Sequence, residues 1–308
     1  LLPQLPDVTP ADIAVVELSS FQLISMRKSP KVAVVTNVTP NHLDHHKDMQ
    51  EYIDAKRNIL LWQEPPCRAV LGYENDITRS MAADCKGEQF WFTRLHETDH
   101  GAFLRESDDT LCYAENGVVT PVLPRAEVKL RGLHNVSNAC AATAVGRACG
   151  IPLAVCADAL AHAEPEAGRQ EVLRARGGFT VVNDAYNANP DSMRASLTTF
   201  CALEVPGRRV AVLGDMGELG SYAPACHAGI GEFAATLPLD RLVCVGELSL
   251  HIADAAERAG MDPQRIVRAG SLSEVFGDLD ACVEPGDAVL VKASHFMGLE
   301  RVVEGLVN

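Results

Sequence analysis

Polar side chains that could carry chemistry follow two apolar, β-branched segments near the start of the chain. The segments DIAVVELSS (12–20) and KVAVVTNV (31–38) are predicted to be buried parallel strands. Glu17 lies near the end of the first segment and His42 follows the second, with further polar groups at Asn37, Thr39 and Asp44. Because ligands bind beyond the carboxyl ends of parallel strands, these side chains are expected at one sheet edge. Oxygen ligands with one imidazole suit Mg²⁺ better than Zn²⁺. The alternative is that Glu17 caps a helix and His42 lies in a solvated turn.

Lys56 borders the apolar face of a helix predicted from Asp48 to Trp62. Burial at such a border would lower the pKa of the amine and leave a fraction of it neutral. A neutral amine can react with carbon dioxide to form a carbamate, which replaces a cation with an oxygen ligand for a metal. The alternative is a lysine that extends along the helix to solvent.

A third group of polar residues opens an alanine-rich helix predicted from His134 to Gly150. Asn135 and Asn138 share one face of that helix, and an amide presents both a donor and an acceptor to a base such as adenine. The alternative is simple capping of the helix by Asn135 or Ser137.

Two charged residues and a glycine-rich segment follow in the second half of the chain. Arg169 could bind a phosphate as a fork, and Asp184, at the end of a strand, could orient ribose hydroxyls or Arg169. Lone residues of these types are more often members of surface ion pairs. The segment GDMGELG (214–220) has G-x-x-G-x-x-G spacing, which indicates a turn more strongly than a dinucleotide site.

The elements that must position these residues alternate between short β-branched runs and helix-length stretches, which is typical of an α/β fold. The segment 161–170, rich in charge, Pro and Gly, predicts a boundary between domains 1–166 and 167–308. We expect a mostly parallel sheet plus a small antiparallel sheet in the first domain, and a Rossmann-like doubly wound second domain. The other predicted strands are RAVLGYEND, EQFWFT, GAFLRE and TLCYAENGVVTPV in the first domain, then GFTVVNDA, RRVAVLGDM, RLVCVGE and DAVLVKAS.

The composition excludes several classes of function. The 308 residues are 47% hydrophobic and 22% charged, as in soluble globular proteins, and no apolar run reaches the length of a membrane span. A net charge of -14 argues against binding to nucleic acid. The ten cysteines show no zinc-binding spacing and suit a reducing compartment. We therefore expect a cytoplasmic protein, and the expected oligomeric state is a monomer.

Four ordered segments in the first half resemble the Mur ligases, and specifically the central domain of the D-glutamate-adding branch of that family. Three segments in the second half are similar to the D-alanyl-D-alanine-adding branch. The resemblance covers essentially the whole chain. The segments are ELSSFQL (17–23), NVTPNHLDHH (37–46), YIDAKRNI (52–59) and LRGLHNVSNACAA (130–142), then DAYNANPDSM (184–193), VLGDMGELG (212–220) and VLVKASHFMGLE (289–300).

The resemblance implies a role for each matching position. As catalytic groups and ligands of two Mg²⁺ sites it implies Glu17, His42 and Lys56, with Lys56 carbamylated. ATP would be bound by His134, Asn135, Asn138, Arg169 and Asp184. The substrates would be bound by Ser19, Gln22, Tyr186, Asn187, Asn189, Lys292 and Ser294. Asn41 stands where the family usually has aspartate.

The implied reaction is ATP-dependent ligation of D-glutamate to UDP-MurNAc-L-alanine through an acyl phosphate. Two alternatives remain: addition of D-Ala-D-Ala to a UDP-MurNAc-tripeptide, and a non-catalytic nucleotide-binding module. A dehydrogenase would rest on Gly214, Gly217 and Gly220 alone. The 308 residues contain no G-x-x-x-x-G-K-[ST] phosphate loop and no initiator methionine. We therefore expect a chain that lacks an N-terminal part and does not hydrolyse ATP or ligate by itself.

Overall fold

A computed structural model describes residues 7–40 and 46–308, which form two α/β domains, each built on a six-stranded sheet. The first domain contains β1 (Val32–Val35), β2 (Arg68–Gly72), β3 (Glu88–Thr93), β4 (Gly101–Arg105), β5 (Thr110–Glu115) and β6 (Val118–Pro124). Its helices are α1 (Ser20–Ile24), α2 (Met49–Leu61), α3 (Asp76–Met81), α4 (Leu133–Ala148) and α5 (Leu153–His162). The connection from α5 to the second domain spans residues 163–170 and contains the predicted boundary.

The first sheet has its strands in sequence order, β1 to β6. Strands β1 to β4 are parallel, whereas β4, β5 and β6 pair antiparallel. The antiparallel strands therefore extend the parallel sheet, whereas the sequence predicts a separate small sheet. A tight turn joins β5 to β6, and its residues Asn116 and Gly117 have positive φ angles of 54° and 77°, as hairpin turns of this kind require.

The prediction of a buried strand over residues 12–20 is wrong. Residues 12–19 have no regular secondary structure, and Ser20 already begins α1. The side chain of Val15 is 87% exposed and that of Ile13 is 56% exposed. A parallel strand is stabilised by neighbours on both sides and by helices on both faces. Among the described residues, β1 pairs with β2 alone, so segment 12–19 gains none of that pairing energy.

The second domain is doubly wound, as predicted. Its sheet has the order β11-β10-β9-β12-β8-β7, and every pair is parallel except β7 with β8. Helices α6 and α7 bury apolar residues on one face, and α9 and α10 do so on the other. The strands are β7 (Glu171–Arg174), β8 (Thr180–Asp184), β9 (Arg209–Gly214), β10 (Arg241–Val245), β11 (Ile266–Ala269) and β12 (Ala288–Lys292). The helices are α6 (Pro190–Cys201), α7 (Ala223–Ala235), α8 (Leu250–Arg258), α9 (Leu272–Cys282) and α10 (Glu300–Val307).

None of the helices in the described part of the chain is long and apolar enough to cross a membrane.

A fully buried histidine on α7 ties the loop after β9 to the core of the second domain. His227 Nε2 accepts the backbone N–H of Met216 at 2.9 Å, and Nδ1 lies 2.7 Å from the carbonyl oxygen of Ala223. The ring is therefore neutral, with its proton on Nδ1, because a protonated Nε2 could not accept a hydrogen bond. Burial lowers the pKa of His227 below its usual value.

The free energy of unfolding is expected to fall on acidification, because this histidine must stay neutral in the folded domain. The lowered folded pKa means that its contribution is complete above the unfolded pKa of about 6.5 and is lost as the pH falls below it. The loss is at most about 1.4 kcal/mol per pH unit. Urea denaturation of the wild type and of His227→Gln at about pH 7.5 and 5.5 measures it. The variant should be less stable at the higher pH but lose less stability on acidification. Equal losses in the two proteins would contradict the assignment.

Candidate functional site

A cleft of roughly 1100 Å³ lies between the two domains. Its first wall consists of residues that follow the carboxyl ends of parallel strands, Thr36 and Asn37 after β1 and Glu74 after β2. Its other walls come from the start of α4 and from α6. Asn37 Nδ2 lies 3.4 Å from Asp191 Oδ2 across the cleft. The cleft therefore occupies the position that the rule for open parallel sheets predicts for a ligand.

The lining of the cleft has more cationic than anionic side chains. Glu74 and Asp191 are the acidic groups, and the arginines are Arg94, Arg125, Arg131 and Arg194. Glu74 Oε1 also accepts the hydroxyl of Thr93 at 2.8 Å and the backbone N–H of Leu95 at 3.0 Å, which orients the turn that carries Arg94. Such a lining suits an anionic ligand such as a polyphosphate. Sequence reasoning missed these residues, although Glu74 could have been found from its place after a strand.

The start of α4 presents Asn138 to the cleft. The side chain of Asn138 is exposed, and its Nδ2 donates to Asn135 Oδ1 at 3.1 Å, while Asn135 Nδ2 donates to the carbonyl oxygen of Arg131 at 2.7 Å. Asn135 thus orients Asn138. The alternative of capping by Asn135 or Ser137 is wrong, because the N-cap residue is Gly132, two residues before the predicted start of the helix at His134. Gly132 has φ 91°, a conformation that favours glycine.

His134 brings the first domain close to the charged centre of the second. Burial lowers its pKa, the Asp184 carboxylate acts against that change, and the Lys292 ammonium acts with it. Both charges therefore lie within electrostatic reach of the ring. His134 Nδ1 is buried and makes no hydrogen bond with any described residue. An unpaired buried ring nitrogen at the cleft wall could accept a hydrogen bond from a ligand.

The Glu17 carboxylate lies within electrostatic reach of Lys56 in the first domain. Burial lowers the pKa of Lys56, and the Glu17 carboxylate partly offsets that change. Lys56 is half-buried on α2, with its Nζ 5.2 Å from the ring centre of Tyr52. The predicted direction of the pKa change is confirmed, whereas carbamylation and metal binding stay predictions. His42, the third predicted metal ligand, lies outside the described residues.

The motif ELSSFQL forms the start of α1, where Ser19 and Gln22 make a capping box. Ser19 Oγ accepts the Gln22 N–H at 3.3 Å, and Gln22 Oε1 accepts the Ser19 N–H at 2.9 Å. Ser19, not Glu17, is therefore the residue that caps this helix. The polar groups of both residues serve the backbone, so their contact with a substrate stays a prediction. Sequence reasoning missed His46, whose Nε2 lies 2.8 Å from the buried hydroxyl of Ser20 and fixes α1 against α2.

Asp184 and Lys292 form a buried ion pair at the carboxyl ends of β8 and β12. Lys292 is 2% exposed, and its Nζ donates to Asp184 Oδ2 at 2.8 Å and to the carbonyl oxygen of Asn187 at 2.9 Å. Asp184 Oδ1 accepts the N–H of Gln170 at 3.2 Å. Burial lowers the pKa of Lys292, against the effect of Asp184. Asp184 therefore pairs with Lys292 and not with Arg169, and Lys292 holds the turn that follows β8.

Ser294 joins two loops beside that pair. Its hydroxyl oxygen accepts the N–H of Gly217 at 2.8 Å and lies 3.3 Å from the carbonyl oxygen of Ala188. A side chain at Gly217 would collide with Phe296, so GDMGELG packs closely under the segment that follows β12. Asn189 caps α6 through its contact with Ser192 at 2.8 Å. These residues support the loops, and direct contact with a substrate stays a prediction for each.

Two aromatic side chains are among the exposed groups at this end of the second domain. Tyr186 is 51% exposed and Phe296 is 69% exposed. The Arg169 guanidinium lies 4.6 Å from the ring centre of Tyr186 and 3.8 Å from Glu166. Arg169 is thus an exposed cation that rests on an aromatic face, free to turn towards an anion. Asn187 is exposed beside it.

The architecture defines a class of two-domain α/β proteins that carry a cationic cleft between a mixed six-stranded sheet and a doubly wound domain. The description "Mur ligase middle domain" matches residues 4–146, and "Mur ligase, glutamate ligase domain" matches residues 168–295. The chain therefore belongs to the Mur ligase family.

Curated relatives named as D-glutamate ligases and a solved structure of a MurF are both similar to this chain. The chain is 39% identical over 205 residues to a UDP-N-acetylmuramoylalanine--D-glutamate ligase of Acetivibrio thermocellus, covering 65% of this chain and 42% of the relative. It is 32% identical over 293 residues to the ligase of that name from Symbiobacterium thermophilum, covering 94% and 61%. MurF from Acinetobacter baumannii superposes with a TM-score of 0.75 at 24% identity, covering 94% of this chain and 61% of MurF, and so shows the fold. The chain thus spans about half of the length of the curated relatives it matches.

Proposed function

We propose that this chain provides the nucleotide-binding and acceptor-binding parts of an ATP-dependent ligase that joins D-glutamate to UDP-MurNAc-L-alanine through an acyl phosphate. The observation that carries this proposal is the cleft, where the cationic wall, Asn138 and α6 of the second domain face one another. A cationic cleft suits a triphosphate. Because the walls of the cleft belong to two domains, movement of the domains could close it over two substrates. The name of the curated relatives supports D-glutamate as the acceptor.

Each wall has its own part in the proposed reaction. Asn138, oriented by Asn135, and His134 bind the adenine end of ATP. Arg169 turns from Tyr186 to the phosphates when the domains close, and Asp184 binds the ribose. Glu17, Lys56 and His42 would hold Mg²⁺, which neutralises charge on the transferred phosphate. The fit for a cation rests on the Glu17 carboxylate beside a lysine whose pKa is already lowered by burial.

A specific observation favours a second acceptor, D-Ala-D-Ala. D-glutamate brings two carboxylates to the acceptor site, whereas the dipeptide brings one carboxylate and two methyl groups. At the aromatic end of the second domain, Lys292 is buried and its charge is matched by Asp184, which leaves Arg169 as the exposed cation beside Tyr186. The exposed rings of Tyr186 and Phe296 suit an acceptor with apolar groups.

An assay of phosphate release by the complete gene product distinguishes the two acceptors. D-glutamate with UDP-MurNAc-L-alanine is compared with D-Ala-D-Ala and UDP-MurNAc-tripeptide, each at the same ATP concentration. We expect release with D-glutamate at least about tenfold faster, a difference of about 1.4 kcal/mol in activation free energy. The reverse ratio would identify D-Ala-D-Ala, and not D-glutamate, as the acceptor. ATP binding without release in either reaction would identify a non-catalytic module and refute both.

A further inference from the structure

A cluster of side chains that could bind a metal lies at the strand ends of the first sheet opposite the cleft. Glu88 opens β3, His100 immediately precedes β4, and Glu115 ends the antiparallel strand β5. Their side chains therefore meet at the amino ends of the parallel strands, whereas the cleft lies at the carboxyl ends. One nitrogen or oxygen atom from each residue lies within 4.8 Å of the others.

The distance between His100 and Glu88 suits a shared ion better than a direct hydrogen bond. His100 Nε2 lies 3.6 Å from Glu88 Oε1, which is too long for a hydrogen bond. Two ligands of one tetrahedral ion, each about 2.0 Å from it, are about 3.3 Å apart. An ion between them therefore needs a movement of only a few tenths of an ångström.

An arginine binds one oxygen of each carboxylate and orients it. Glu88 Oε2 lies 3.1 Å from Arg68 Nε, and Glu115 Oε2 lies 3.2 Å from an Arg147 terminal nitrogen. Outer hydrogen bonds of this kind hold ligating carboxylates in place in metal sites. The arginines also offset part of the carboxylate charge, so the affinity is expected to be micromolar and far weaker than that of cysteine-rich zinc sites.

A buried tyrosine beside the cluster provides a second, independent observation. Tyr113 is 2% exposed, and its hydroxyl makes no hydrogen bond with any described residue. Tyr113 lies two residues before Glu115 in β5, so the two side chains share one face of the sheet, and the Arg147 that binds Glu115 lies 5.5 Å from the centre of the Tyr113 ring. His100 Nε2 is likewise buried without a hydrogen bond. Two unpaired buried polar groups are costly unless they interact with something else.

We propose that Glu88, His100 and Glu115 bind one divalent cation, for which Zn²⁺ is the best match. An imidazole nitrogen with two carboxylates suits Zn²⁺ better than Mg²⁺, which prefers oxygen ligands alone. A water molecule completes the coordination and accepts a hydrogen bond from the Tyr113 hydroxyl. The ion joins β3, β4 and β5, so it stabilises the first domain at a site that is independent of the proposed ligase reaction.

Titration calorimetry of the chelator-treated 308-residue chain with Zn²⁺, and separately with Mg²⁺, tests the proposal. We expect one Zn²⁺ per chain at micromolar Kd, a higher melting temperature with Zn²⁺, and no comparable binding of Mg²⁺. His100→Ala and the nearly isosteric Glu115→Gln should each weaken Zn²⁺ binding at least tenfold. The matched control is His162→Ala, which removes an exposed histidine that is also paired with a carboxylate, that of Asp158, and should leave the affinity unchanged.

Cobalt substitution distinguishes metal binding at this site from metal binding by the ten cysteines of the chain. Co²⁺ bound by nitrogen and oxygen shows no sulfur-to-metal charge-transfer band, whereas thiolate ligation does. Circular dichroism confirms that each variant is folded. Absence of Zn²⁺ binding, an unchanged affinity in folded His100→Ala, or a sulfur charge-transfer band at the first equivalent would each overturn the proposal.

Discussion

Replacing Lys56 with alanine in the complete gene product is expected to abolish amide formation, with kcat lower by about 10³-fold, or about 4 kcal/mol. The amine is half-buried, its pKa is lowered by that burial, and the Glu17 carboxylate lies close to it. These conditions favour a neutral amine that can take up carbon dioxide. Loss of the carbamate removes an oxygen ligand of the proposed Mg²⁺ and its share of charge neutralisation at the transferred phosphate.

One further variant and one rescue experiment distinguish the carbamate from a simple positive charge. Lys56→Arg keeps the charge but cannot form a lysine carbamate, so it should be as inactive as Lys56→Ala. Added short carboxylic acids should partly restore turnover in Lys56→Ala, because they can occupy the space of the carbamate. The matched control is Lys47→Ala, which removes an exposed lysine two residues before α2 and should keep full activity. Near-normal turnover of Lys56→Ala would eliminate the proposed role.

The sequence predicted those helices and strands whose first and last residues are marked by local signals. The helix predicted from Asp48 to Trp62 is α2, with Asp48 as its N-cap and Trp62 as its C-cap. The run EQFWFT is β3 without any change of boundary. The segment DIAVVELSS has equally strong β-branched character but forms no strand. Strand formation depends on pairing partners, which the composition of the segment does not contain.

The sequence could place a residue near the cleft where its type and position sufficed, but not where a tertiary contact determines what the side chain does. Asn138 lines the cleft, as the pattern on α4 suggested. Lys292 was predicted to bind a substrate, but its contact with Asp184, 108 positions away in sequence, makes it a buried support for a turn. His46 acts through Ser20, and no local pattern indicates that pairing. These roles depend on tertiary distances that a single sequence does not reveal.

The buried pair of Asp184 and Lys292 is expected to give the largest stability effect in the second domain. Asp184→Asn leaves the Lys292 ammonium without its counter-charge in a site where the lysine is 2% exposed. Removing one partner of a buried pair costs about 3–5 kcal/mol, mostly because the other charge stays buried. The turn that holds Asn187 should loosen too, since Lys292 also binds its carbonyl oxygen.

Urea denaturation followed by far-ultraviolet circular dichroism measures this loss, because Trp62 and Trp91 both lie in the first domain and fluorescence would report on that domain. Hydrogen exchange of β8 and β12 localises it. The control, Asp254→Asn, removes one partner of an exposed ion pair with Arg268 and should cost less than about 1 kcal/mol. The double variant Asp184→Asn/Lys292→Met should recover much of the stability, since it buries no unpaired charge. If the double variant were as unstable as Asp184→Asn, the unpaired ammonium of Lys292 would not be the cause of the loss.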